Sequence, residues 1–107
     1  MIFYTNFAVP ADHAACTLGP FIFIRPEYKD DKGLLAHEKV HVKQFWRTCG
    51  LHSFLYLCSK TYRLRSEVEA YRVQLQITPD NEDRFASFIA NNYDLDISFS
   101  EARGLFP

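Results

Sequence analysis

The stretch His37-Glu38-Lys39-Val40-His41, HEKVH in one-letter code, decides how the rest of the chain is read. On a helix, residues four apart stand one above the other, so these two imidazoles can grip a single metal ion, with Glu38 beside them as a candidate base. The motif asks for a helix, and its flanks supply one. Asp30-Asp31-Lys32-Gly33 is a loop whose aspartates can cap a helix N-terminus, and Cys49-Gly50 is a stop signal with glycine near the C-terminal cap. A helix is expected from about Gly33 to Thr48. Taking roughly 100° per residue, Leu34, His37, Glu38, His41 and Phe45 share one face and Leu35, Val42 and Trp46 line another, so protein is expected to cover both.

Working outward, Met1 to Val9 is aromatic and apolar with partial alternation, which suits a strand ended by Pro10. Ala11 to Thr17 carries no decisive pattern. Leu18-Gly19-Pro20 is a turn signal, and Phe21-Ile22-Phe23-Ile24 reads as a second strand reaching Pro26. These two strands are expected to run antiparallel. Beyond the motif, Leu51 to Leu57 reads as a buried connector or a short helix. Leu64, Val68, Tyr71 and Leu75 recur at spacings of about four, three and four, the period of a helix from about Tyr62 to Gln76. Thr78-Pro79 pairs a cap residue with proline at a first helical position, predicting a helix to Asn91 with Phe85, Phe88 and Ile89 inward. Ser98-Phe99-Ser100-Glu101 has the spacing of a capping box before a last short helix, about Glu101 to Leu105. The expected fold is a small α+β domain, residues 1–107, with short strands followed by helices.

Composition bounds what such a domain can be. At 107 residues, folding buries only roughly two thirds of the unfolded surface, and the ten Phe and six Tyr supply the large buried areas. A net charge of −1 gives no general pull towards nucleic acid or anionic membranes. Basic residues outnumber acids between Arg25 and Arg65, which reads as a solvated helix face or a basic rim near the motif. Three cysteines, Cys16, Cys49 and Cys58, form no CxxC pair, so a disulfide framework is not expected and a reducing, cytoplasmic setting is. Cys49 and Cys58 are read as small core residues. No leader pattern opens the chain and no apolar run approaches the ~18 residues of a membrane span. No nucleic-acid or membrane partner is expected, and a monomer is.

A catalytic zinc site takes three protein ligands and leaves the fourth position for water. His37 and His41 supply two, and the second long helix offers Glu67 or Glu69 as the third. These point roughly 160° apart around that helix. Glu67 lies about 70° from the middle of the apolar face and Glu69 about 130°, so Glu67 is the expected ligand, with Glu69 as its replacement or as an outer acid bonded to a ligand histidine.

This arrangement resembles the gluzincins, zinc metallopeptidases in which HExxH on one helix is completed by a glutamate on a later helix. His37 and His41 fall on the two histidine ligands, Glu38 on the general base, and Glu67 on the glutamate of the ExxA pattern, with Ala70 three residues on. At this length the chain looks like a minigluzincin, a minimal form of the fold with an edge strand before the active-site helix. HEKVHVKQFW followed by EVEAYRVQ is also similar to small metallopeptidase-like proteins of bacteria and their phages. The likeness is concentrated in His37 to Trp46 and Glu67 to Gln74, with the strand Phe21 to Ile24 before them. It departs where many gluzincins carry Asp four residues after the ligand glutamate. Tyr71 stands there, so Tyr71, Glu69 or a backbone carbonyl is left to orient the first histidine.

The resemblance implies Zn2+-dependent hydrolysis of amide bonds in a peptide or protein, or in a cell-wall cross-link. Glu38 would take the proton of the attacking water and pass it to the leaving amine. His52, Tyr62, Arg63 and Tyr71 are candidate oxyanion donors, and the strand Phe21 to Ile24 a candidate edge for an extended substrate. Asp12, His13 and Cys16 could block the open position and keep the site latent, or be an ordinary loop and a buried thiol. The competing reading is a non-catalytic or latent zinc-binding module that works by binding a protein partner. A structural site, however, closes with four protein ligands and has no use for Glu38.

Overall fold

In the computed structural model, which describes residues 1–106, a three-stranded sheet is followed by five helices, as the α+β expectation has it. The strands are β1 (Ile2–Tyr4), β2 (Ala15–Leu18) and β3 (Phe21–Ile24), in the spatial order β1-β3-β2. The Leu18-Gly19-Pro20 turn does its expected work, but it joins β3 to residues 15–18, the part of the chain that lacked a decisive pattern. That hairpin takes one side of β3 and leaves β1 the other. The link from β1 to β2 crosses the end of β3, so β1 runs parallel to β3, with Phe3 opposite Phe23, and not antiparallel as expected. Arg25, at the end of β3, clamps this link: its guanidinium donates to the carbonyls of His13, Val9 and Pro10 and to Asn6 Oδ1.

One face of the sheet buries Ala15, Ile22 and Ile24 against Leu34, Leu35 and Val42 of α1 (Lys32–Arg47). Asp31 caps that helix, its side chain accepting from the Leu34 amide at 2.9 Å. Cys49 and Gly50 close it in left-handed conformations, with φ of 54° and 85°, a turn that glycine adopts without strain. α1 buries His37, Glu38, Val40, His41 and Gln44. Trp46, expected to be covered, is instead 63% exposed, with the neighbouring Phe45 ring, set edge-on, as its aromatic contact.

α2 (His52–Cys58) is the short helix allowed for Leu51 to Leu57, although only His52 is fully buried. Ser59 caps α3 (Lys60–Ile77), which starts two residues before the expected point. Thr78 does not open the next helix. Its amide and its hydroxyl both bond backward to Gln74 O, closing α3, and Asp80 turns with φ of 67° before α4 (Glu82–Asn92) begins. The capping box forms at Ser98 and Glu101, which starts α5 (Phe99–Arg103) two residues before the expected point. Cys49 and Cys58 are exposed rather than in the core, one on the α1 closing turn and one on the outer side of α2. Among the described residues no helix is long and apolar enough to cross a membrane.

Two apolar clusters result. The larger gathers Val68 and Tyr71 of α3 with Phe85, Ala86, Ile89, Leu95, Ala102 and Phe106. The smaller lies between sheet and α1. Between them, α1 and α3 bury the polar His37, Glu38, His41, Gln44, Ser66 and Glu67 alongside the small apolar Val40 and Ala70. Because Asp31 fixes the first turn of α1, Asp31→Ala should lower stability by about 1 kcal/mol, read as an earlier urea midpoint with unchanged slope.

Candidate metal centre

α1 and α3 bring together His37, His41 and Glu67, whose donor atoms all lie within 4.8 Å of one another. The three residues are 3%, 7% and 2% exposed. Glu67 is therefore the inward acid, as its position on the helix implied, and Glu69 is half-buried outside the triad, paired with Arg47. The three facing atoms are almost equidistant: His37 Nε2 to His41 Nε2 3.3 Å, His37 Nε2 to Glu67 Oε1 3.2 Å, and His41 Nε2 to Glu67 Oε1 3.3 Å. A tetrahedral ion with bonds of about 2.0 to 2.1 Å holds its donors about 3.3 Å apart. Glu67 Oε1, though buried and close to both imidazoles, has no hydrogen-bond partner, and one ion at a point shared by the three donors would satisfy it. The residues fit a metal ion.

The surroundings fix how each donor is presented. Gln44 Nε2 donates to Ser66 O at 3.2 Å and to Glu69 Oε1 at 2.9 Å, which turns Gln44 Oε1 towards His41 Nδ1, 2.9 Å away. His41 must then carry a proton on Nδ1, which directs Nε2 to the shared point. Arg47 holds Glu69 through both carboxylate oxygens, at 3.1 and 3.0 Å. Glu69 thus acts on the histidine through Gln44 and not directly. On the other side, Tyr56 of α2 donates to Glu67 Oε2 and leaves Oε1 for the metal position.

Electrostatics agree with this placement. Burial works to lower the His41 pKa, but the facing Glu67 carboxylate more than offsets it and raises the value to about 9. Burial works to raise that of Glu67, and the imidazoles of His41 and His37 overcome it, holding the carboxyl far below the usual range. Burial, then the Glu67 charge, pushes Tyr56 well up, so it stays a donor.

Glu38 stands beside the triad, 5% exposed, with Oε2 3.7 Å from His37 Nε2. Thr17 of β2 donates to its Oε1 at 2.9 Å. The triad and Glu38 form the floor of a cleft of about 620 Å³ between β2 and α2, whose rim includes the exposed Leu18, Ser53 and Leu57. β3 is the central strand, so it cannot be the open edge. β2 is an edge strand, and it lines the cleft. Arg25 N bonds Ala14 O, and the β2–β3 register then makes Cys16 and Leu18 the bonded positions. The backbone groups of Ala15 and Thr17 consequently point away from β3.

The remaining candidates separate clearly. Tyr71 packs edge-on against His37, with ring centroids 4.3 Å apart, and its hydroxyl is paired with that of Tyr93. Arg63 is committed to the backbone carbonyls of Tyr56, Leu57, Tyr93 and Asp94. His52 lines the cleft, with Nδ1 2.7 Å from the Tyr62 hydroxyl. Cys16 donates to Ala8 O, and His13 packs near Tyr93. Among the described residues, neither these two nor Asp12 joins the ligand group. Tyr56, Gln44, Ser66 and Thr17 were not singled out from the sequence. Of these, only Gln44 carried a usable signal, lying three residues after His41 on the same helix.

Comparison with protein-family models, curated proteins and solved structures returns no match. What the geometry establishes is a buried two-histidine, one-carboxylate group able to hold a metal ion.

Two outcomes check it. Because His41 titrates higher when folded, at about 9, the stability it contributes to metal-free protein is full below about 6.5 and lost as pH rises through about 9. A bound metal should abolish that loss, since it replaces the proton, and thermal melts from pH 6 to 9.5 with and without zinc read the difference. Glu67→Ala should lose metal while Glu69→Ala retains it at weakened affinity, measured as metal content after gel filtration.

Proposed function

We propose that the protein is a zinc-dependent peptidase of gluzincin type that hydrolyses amide bonds in an extended peptide or protein segment. The observation that carries this reading is the equilateral triad with the Glu38 carboxylate beside it on the floor of a cleft. Zinc suits a donor set of two imidazoles and one carboxylate, and when bound it acidifies a water and polarises a carbonyl.

The chain's own residues supply the rest. Glu38 accepts the proton of the attacking water at Oε2, while Thr17 restrains Oε1, and then delivers it to the leaving amine. His52 Nδ1 is paired with the Tyr62 hydroxyl, and in the proposed tautomer the hydroxyl donates and the His52 proton stands on Nε2. Burial, then the neighbouring His41, lowers the His52 pKa, so it works as a neutral donor to a developing oxyanion. The outward N–H and C=O groups of Ala15 and Thr17 offer an extended substrate the pairing of an added strand. The apolar rim residues Leu18 and Leu57 favour apolar side chains around the scissile bond.

Glu38→Gln should bind zinc as the wild type does and lose about 10²- to 10⁴-fold in hydrolysis. His52→Phe should retain zinc and lose about 10²- to 10³-fold in kcat. Both are read on a broad peptide library with mass-spectrometric detection. Zinc-loaded wild type that cleaves no member of the library would sink the peptidase reading and leave a zinc-binding interaction module.

A further inference from the structure

The two ligand histidines are not held alike. His41 Nδ1 has Gln44 as its partner, but His37 Nδ1 is buried with no hydrogen-bond partner. Of the three partners expected for it, Tyr71 is engaged with Tyr93, Glu69 with Gln44 and Arg47, and no backbone carbonyl meets it. A second buried polar atom is in the same condition, Gln74 Oε1. These two orphans belong to one place. His37 and Gln74 both line a cavity of about 340 Å³ that also touches Tyr71, Phe85 and Arg84 and lies behind the triad.

Helical spacing explains the juxtaposition. Gln74 follows Glu67 by seven residues, so it lies two turns along the same face of α3, with Tyr71 between them. Its stem packs at Gly33, where an added Cβ would come within 3.3 Å of Gln74 Cγ. Gly33 is one turn before His37 on α1. The side-chain amide of Gln74 therefore sits beside the turn that presents His37. With His37 Nε2 turned to Glu67 and His41, Nδ1 must carry the proton and needs an acceptor, while Gln74 Oε1 needs a donor. A single molecule that both accepts and donates satisfies the pair, and the cavity far exceeds the roughly 30 Å³ a water occupies.

We propose that this cavity is a water-binding site through which Gln74 orients His37: a bound water accepts from His37 Nδ1–H and donates to Gln74 Oε1. Gln74 is a positioning residue, taking from one turn further along α3 the role that Tyr71 cannot fill. The inference rests on His37 being a metal ligand through Nε2, and not on the hydrolytic chemistry.

The test measures zinc affinity of the full chain by competition with a chromophoric chelator, alongside melting of the metal-free protein. Gln74→Leu should weaken zinc about 10- to 100-fold while the metal-free protein still melts cooperatively, which shows that the fold is kept. Gln74→Glu should bind zinc at least as tightly as wild type, because a carboxylate on the same water raises ligand basicity. In zinc-loaded wild type, the His37 Nδ1 proton should exchange slowly and show cross-relaxation to bound water by NMR, and in Gln74→Leu it should exchange fast. Unchanged zinc affinity in Gln74→Leu, equal weakening in both variants, or fast exchange of that proton in wild type overturns the proposal. Failure of wild type to bind zinc at all would instead overturn the metal centre itself.

Discussion

An acid that is 2% exposed in the middle of a small domain is the constraint the rest of this structure answers to. An ionised carboxylate taken out of water costs several kcal/mol even after relaxation, unless opposite charge and hydrogen bonds meet it. Glu67 is met on Oε1 by the imidazoles of His37 and His41 and on Oε2 by Tyr56. The first pair requires α1 to cross α3 with the HEKVH turn at the crossing. The second requires α2 to fold back over α3 with Tyr56 inward. Three helices are thereby placed around one side chain, and the apolar clusters form on either side of it rather than through it.

The same logic extends outward in two directions. On the α1 side, polar groups hand the burden from His41 to Gln44, then to Ser66 and Glu69, and finally to Arg47 at the surface, where water finishes the work. Towards the sheet, Thr17 ties the Glu38 carboxylate to β2, so a strand of four residues is coupled to the centre by a hydrogen bond as well as by the packing of Ala15. The side facing α4 is different. There the wall is aromatic, with Tyr71 against His37 and Phe85 against Tyr71, and an aromatic face offers the His37 nitrogen no acceptor. That asymmetry follows from the residue at position 71, a tyrosine whose ring meets His37 and whose hydroxyl is paired with Tyr93.

What the sequence made legible is what depends on short-range periodicity. His37, Glu38 and His41 share a face because four residues make a turn, and Glu67 rather than Glu69 is inward because of where Val68 and Tyr71 lie. The capping box at Ser98 and Glu101 and the stop at Gly50 are equally local. Thr17, Tyr56 and Gln74 matter only through contacts made far along the chain, and no local pattern marks them. Ala15 to Leu18 is a strand because a hairpin and α1 cover it, whereas its own residues, two of them small, have weak strand preference. The direction of β1 was hidden for the same reason. Thr78 shows a second kind of ambiguity, since a hydroxyl can cap the helix ahead or bond back to the one behind, and here Gln74 O takes it.

The position of Glu38 bears on what the centre is for. A site whose only task is to stiffen the fold would close around its ion with four protein donors, and a fifth polar group nearby would add desolvation cost without return. Here three donors converge, and the nearby acid, 5% exposed, has one oxygen bonded to Thr17 and the other 3.7 Å from His37. The triad and Glu38 line the cleft, with the β2 edge along it. Burying an acid at that place has a desolvation cost that a purely structural site gains nothing from, which is the argument for the proposed hydrolytic reading over a structural one. On the proposed reading the two outer residues also face different demands: Thr17 would steady a group that moves protons, whereas Gln44 need only hold a ring still.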